Sequence, residues 1–177
     1  MGPVIVFETH SMTEDNENGV ATGWLPGRLS QTGCELAREL GRRRCDGTID
    51  AVFTSDLERA VETTNLAFGE SGLPIFHDWR LRECNYGELN GMPVEKHFAI
   101  RSSHTVEPYP GGESWQEAIQ RVDWFLDDLR MKWSGCRVVV IGHTATRWAF
   151  DHYLTGKRLE TLLESDFDWQ EGWEYFT

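Results

Sequence analysis

Short, uninterrupted apolar runs alternate along this chain with longer stretches whose apolar residues recur every three or four positions. Val4 to Phe7 is a β-branched run that gives way to polar residues, the pattern of a strand buried on both faces. Thr9 to Gly27 follows as a polar, glycine-containing loop. Leu36, Ala37 and Leu40 then fall on the inward face of a helix expected from about Ser30 to Arg43. Ala51 to Thr54 reads as a second buried strand, leading into Ser55-Asp-Leu-Glu58, a capping-box signature. Behind it Leu57, Ala60, Val61, Thr64 and Phe68 share one helical face, and Pro74 to Phe76 is a third, weak strand.

From about Arg80 to Gly112 the pattern is irregular and rich in turn residues. Ser114 and Glu117 form another capping box, and Trp115, Ala118, Ile119, Val122, Phe125, Leu126 and Leu129 keep the spacing of a long amphipathic helix. Val138 to Ile141 is the clearest strand. Thr144 is expected to cap a helix carrying Ala145, Trp148, Ala149 and His152 on one face, with a last strand near Trp173 to Phe176. Strand and helix in alternation imply an α/β fold: a mostly parallel central sheet flanked by helices in three layers. With no repeat, low-complexity tract or linker, one domain over residues 1–177 is expected.

Composition narrows the function. With 40% apolar residues and eight Trp, the chain can bury a core without disulfide staples. A formal net charge of −12 argues against nucleic acid and anionic membrane as partners, since both need a basic face. The opening apolar run is too short for a signal peptide, and no stretch approaches the ~18 apolar residues of a membrane span, so a cytoplasmic location is expected. Cys34, Cys45, Cys84 and Cys136 stand far apart. His97 and His104 lie in the polar loop without a carboxylate at ligand spacing, and the acidic run Glu14 to Asn18 lacks the spacing of a calcium loop. No metal site and no cofactor are therefore expected. Trp169, Trp173 and Tyr175 are expected to pack against the sheet.

Ligands of open α/β sheets bind beyond the carboxyl ends of the strands. Three of the expected strands end in reactive residue types: the first at His10, the second near Arg59, the fourth at His143. Any one histidine there could be incidental; three such residues together point to one site. Arg59 falls in the first turn of its helix, where the macrodipole disfavours a cation. A bound anion would relieve that conflict, and a surface pair with Glu58 or Glu62 is the plainer alternative.

These residues sit in recognisable blocks. Thr9-His10-Ser11-Met12-Thr13 with Asn16 resembles the Arg-His-Gly-x-Thr-x-x-Asn signature of the histidine phosphatase (phosphoglycerate mutase-like) superfamily. Pro26-Gly-Arg-Leu29-Ser30-x-x-Gly33, Ser55-Asp-Leu57-Glu-Arg59-Ala60-x-x-Thr63, Leu81-Arg-Glu83-x-x-Tyr86-Gly87, Gly111-Gly-Glu113-Ser114 and Gly142-His143-Thr144 are similar to its later blocks, in the family's order. The resemblance implies a phosphoglycerate mutase-like fold and a small phosphorylated substrate. It implies that His10 attacks phosphorus, that Glu83 protonates the leaving oxygen and then activates water, and that His143, Arg59, Asn16 and the backbone N–H beside Thr144 hold the phosphoryl oxygens without metal. Trp24, in the long first loop, would line the substrate pocket. An oligomer is compatible with the sequence.

Two positions depart from the signature. Thr9 stands where the first arginine belongs, Ser11 replaces the following glycine, and Glu8 adds a negative charge. A preorganised donor to a transition state contributes about 10²–10³ in rate, so the loss matters. Three explanations are open: another cation enters the pocket, with Arg147 and Arg28 as candidates; the site performs acid–base chemistry on a non-phosphate substrate; or the domain binds a ligand without turnover. Arg147 has a plainer reading, an ion pair with Asp151 one turn on. A hydrolase is expected rather than a mutase, by analogy, because the chain lacks the inserted segment that covers the site in larger mutases.

Overall fold

The computed structural model describes residues 2–177. Five strands form the main sheet: β1 (Val4–Thr9), β3 (Ala51–Thr54), β4 (Ile75–His77), β6 (Arg137–Gly142) and β7 (Trp173–Phe176), in the order β4-β3-β6-β1-β7. The first four run parallel and β7 lies antiparallel to β1 at the edge. A two-residue pair, β2 (Val20–Ala21) with β5 (Met92–Pro93), ties the first loop to the middle of the chain. Among the described residues no helix is long and apolar enough to cross a membrane.

The central strands are buried on both faces, which is why they are continuous apolar runs rather than alternating ones. Val6, Val52, Val139 and Ile141 face α2 (Gln31–Arg44) and α3 (Glu58–Phe68). Ile5, Phe7, Phe53, Val138 and Val140 face α5 (Trp115–Lys132) and α6 (Thr144–Thr155), meeting Trp115, Phe125, Trp148 and Phe150. The remaining helices are short: α1 (Glu14–Glu17), α4 (Val94–Arg101) and α7 (Leu159–Glu164).

Several local expectations are corrected. Ser55 does not cap α3; its hydroxyl accepts from Leu57 N–H, and Leu57 is the cap residue without a side-chain bond. His143, not Thr144, precedes the first residue of α6. Leu36 is exposed, as is Trp169, although Trp173 and Tyr175 do pack on the core. The irregular stretch after Arg80 contains α4, so His97 is helical rather than in a loop. It is buried against Tyr86, and its Nε2 meets the Tyr109 hydroxyl at 3.1 Å.

Candidate active site

Register brings the first two residues together. Thr9 pairs with Gly142 across the β1–β6 ladder, so His10 and His143 leave adjacent strands at the same level. Their ring centroids are 5.0 Å apart. His10 Nδ1 lies 2.8 Å from Ser11 O, while Arg59 Nε donates to His10 Nε2 at 3.3 Å. Since Nε2 accepts, the ring proton sits on Nδ1 and is held by the carbonyl. That tautomer turns the Nε2 lone pair toward Arg59, whose Nε–H it accepts. Ser11 N–H donates to Thr63 Oγ1 at 2.9 Å and Ser11 Oγ to Gly33 O at 2.7 Å, fixing the turn that follows His10. Gly33 is required there: a Cβ would run into the Met12 carbonyl.

Arg59 is buried at the start of α3 and makes neither of the surface pairs that its sequence neighbours offer. Its terminal nitrogens donate to Gly23 O at 2.8 Å and Leu25 O at 3.4 Å, so the first loop folds over it. Gly23 has φ +57°, a left-handed conformation that favours glycine, and this aims its carbonyl at the guanidinium.

Glu83 is buried against the N-terminus of α6. Its carboxylate accepts from Cys84 N–H (2.9 Å), Ala145 N–H (3.1 Å) and Thr144 N–H (3.2 Å), the last two being the first turn of α6. Burial raises its pKa above the ordinary carboxylate value, against the pull of those N–H groups and of Arg59. Burial likewise lowers His10 to about 3 and takes His143 well below its ordinary value, with Arg59 adding to both shifts. Both nitrogens of the buried His143 have no hydrogen-bond partner. Buried polar atoms are normally satisfied, and among the described residues none supplies a partner to these two.

A family model for the histidine phosphatase superfamily (branch 1) matches residues 5–169. The chain belongs to that superfamily. A 2,3-bisphosphoglycerate-dependent phosphoglycerate mutase of Cytophaga hutchinsonii is 34% identical over 154 residues, which is 80% of this chain and 72% of that one. The alpha-ribazole phosphatase of Shigella flexneri shares the fold with a TM-score of 0.79 at 23% identity, covering 90% of this chain and 83% of that one. A mycobacterial glucosyl-3-phosphoglycerate phosphatase, solved with VO3, gives a TM-score of 0.80 at 22% identity, over 90% and 85% of the two chains.

Other residues expected at a histidine phosphatase site are placed less centrally. Asn16 is exposed, and its amide oxygen closes the capping box of α1 with Thr13 N–H at 3.1 Å and Thr13 Oγ1 at 2.8 Å. Trp24 lies over the acid: its Nε1–H donates to Glu83 O at 2.6 Å, and the Arg82 guanidinium sits 4.5 Å from its ring centre. Arg28 is exposed on the outer side of α3, beside Glu58 and Glu62. Arg147 pairs with Asp151 at 3.7 Å, donates to Asp168 O at 3.0 Å and stacks 4.1 Å over Trp173. It clamps the C-terminal segment and makes no contact with His10, Glu83 or Arg59. Glu8 turns to the opposite face, where Arg44 (2.6 Å) and Arg43 (3.5 Å) pair with it.

Sequence reading missed Arg121. This buried side chain donates to Glu113 at 2.9 Å through two nitrogens, and to the carbonyls of Arg80, Arg82 and Glu83, each at 2.8 Å. It thereby holds the backbone that carries the acid. The signal was present: position 121 lies three after Ala118 and four before Phe125, a cation on an apolar face, which demands buried partners. Arg121→Met is expected to destabilise the fold by about 3–5 kcal/mol, because Glu113 and three carbonyls lose their partner. Urea denaturation measures this, and a loss below about 1 kcal/mol would contradict the assigned role.

Protonation is coupled to stability with opposite signs at two places. His10 and His143 are depressed, so the unfolded chain binds protons first and stability falls as pH drops below 6.5 toward about 3. Glu83 is raised, so its contribution is present at low pH and is lost as pH climbs from 4.5 through its folded value. Between pH 8 and pH 5, His143→Gln should therefore lose less stability than the wild type, and Glu83→Gln should lose more. Urea midpoints across that range check both signs.

Proposed function

We propose that this protein is a phosphatase that hydrolyses a small phosphate ester through a phosphohistidine on His10. The observation that carries it is the set of contacts around His10: Nδ1 2.8 Å from Ser11 O, Nε2 3.3 Å from Arg59 Nε, and the His143 ring centre 5.0 Å away, which together favour the tautomer with its proton on Nδ1. In the first step Nε2 bonds to phosphorus as the P–O bond to the leaving group breaks. The electron pair goes to the leaving oxygen, which takes the proton of Glu83. The positive charge formed on the imidazole is stabilised through Nδ1–H by the Ser11 carbonyl. In the second step Glu83 removes a proton from water, whose oxygen bonds to phosphorus as the P–N bond breaks and its electron pair returns to Nε2, and the phosphate product leaves. Arg59, His143 and the N–H groups at the start of α6 bind the phosphoryl oxygens, those N–H groups becoming available as Glu83 turns toward the substrate.

Support comes from the relatives, which are phosphoglycerate mutases and phosphatases. Hydrolysis is preferred to mutase chemistry by analogy, because the chain lacks the inserted segment that covers the site in larger mutases. Crystals soaked in orthovanadate test the proposal. The expected result is vanadium bonded to His10 Nε2 with its oxygens on Arg59 and His143. Anion density elsewhere, with an empty His10, would overturn it.

A further inference from the structure

Thr9 removes a guanidinium from this pocket, and the structure shows what stands in its place. Arg147 is held by Asp151, Asp168 and Trp173, and Arg28 is out on the surface beside α3. Arg82 is spent in a bidentate pair with Asp56 at 2.6 and 2.7 Å. Arg121 is neutralised by Glu113 and by carbonyls. Arg59 is the guanidinium that touches the imidazole pair, its Nε donating to His10 Nε2 at 3.3 Å with the His143 ring centre 5.0 Å from that of His10. Arg59 in turn feels the carboxylates of Glu83 and Asp15, and Asp15 is fixed by Thr22 Oγ1 at 2.8 Å. The two imidazoles are neutral in the unliganded site. Among the described residues, one guanidinium therefore faces His10, and nearby carboxylates already offset part of its charge.

A dianionic phosphoryl group here would leave a buried negative charge without a partner, next to Glu83. Such a charge is expensive in a low-dielectric site, whereas a monoanion is matched by Arg59 alone. We infer that this pocket takes a phosphoryl group carrying a single negative charge, that is, a phosphate diester or a monoester in its monoanionic form. This rests on the phosphatase reading and narrows its substrate class. For a diester the same two steps apply: the first releases one alcohol protonated by Glu83, and water then frees the other ester as a phosphate monoester.

Two probes with one leaving group separate the cases. Bis(p-nitrophenyl) phosphate stays a monoanion at all working pH, while p-nitrophenyl phosphate becomes a dianion above a second pKa of about 6. Titration of Glu83 affects both substrates alike and cancels in their ratio. The ratio of kcat/KM, diester over monoester, is expected to rise on the order of tenfold per pH unit above that ionisation. Thr9→Arg should raise monoester kcat/KM at pH 8 by about 10²-fold and flatten the ratio. A ratio that is flat between pH 6 and pH 8 in the wild type, with both substrates turned over, overturns the inference and leaves the phosphatase reading intact. No turnover of either substrate removes both.

Discussion

Replacing His10 with alanine is expected to lower kcat for any phosphate ester by at least about 10³-fold while leaving the fold intact. In the proposed mechanism the imidazole provides the covalent route; His143 is buried deeper, and Ser11 Oγ already donates to Gly33 O. The side chain itself contributes little to the scaffold, one contact to Ser11 O and one from Arg59. Its removal also takes away a buried base whose protonation opposes folding, so Tm at neutral pH should not fall sharply. Steady-state assays beside thermal unfolding decide the matter. Turnover within tenfold of wild type would mean that His10 is not the attacking group.

Glu83→Gln is the second large effect, and its signature differs. With an alkyl phosphate the first step needs a proton for a poor leaving group, so kcat should fall by about 10²–10⁴. With p-nitrophenyl phosphate the leaving group departs without help, and only the attack of water suffers. The variant should then release a burst of one p-nitrophenol per site and turn over slowly afterward. Because burial raises Glu83, the protonated acid persists above the ordinary carboxylate range. For alkyl substrates, wild-type activity should fall as pH rises through that raised value, and the variant should lose this limb. Equal losses with both leaving groups, and no burst, would assign Glu83 a structural role instead.

The site was more legible in the sequence than the scaffold that supports it. His10 and His143 follow runs of β-branched residues that can only be buried strands, and parallel neighbours with Thr9 opposite Gly142 must deliver them side by side. Arg59 was conspicuous because a cation opening a helix is unfavourable, and burial against Gly23 and Leu25 carbonyls accounts for it. What stayed hidden had little apolar signal. Helix α4 buries His97 and Arg101, polar types that leave no 3.6-residue apolar stripe to read. The partner of Thr63 lies 52 residues away, and Arg121, although conspicuous as a cation on an apolar helix face, finds Glu83 O 38 residues away; no local pattern encodes those partners. Arg147 shows the converse: its position invited a role in the pocket, yet the aromatic C-terminal segment claims it.

The central claim is that phosphorus becomes bonded to His10. Rapid acid-free quenching of a single turnover, followed by mass spectrometry of the digested protein, tests it directly. The account predicts a phosphoryl group on His10, stable to base and labile to acid, which forms and decays at rates competent for turnover. Phosphate release with His10 unmodified throughout, or a phosphoryl group on another residue, would contradict it.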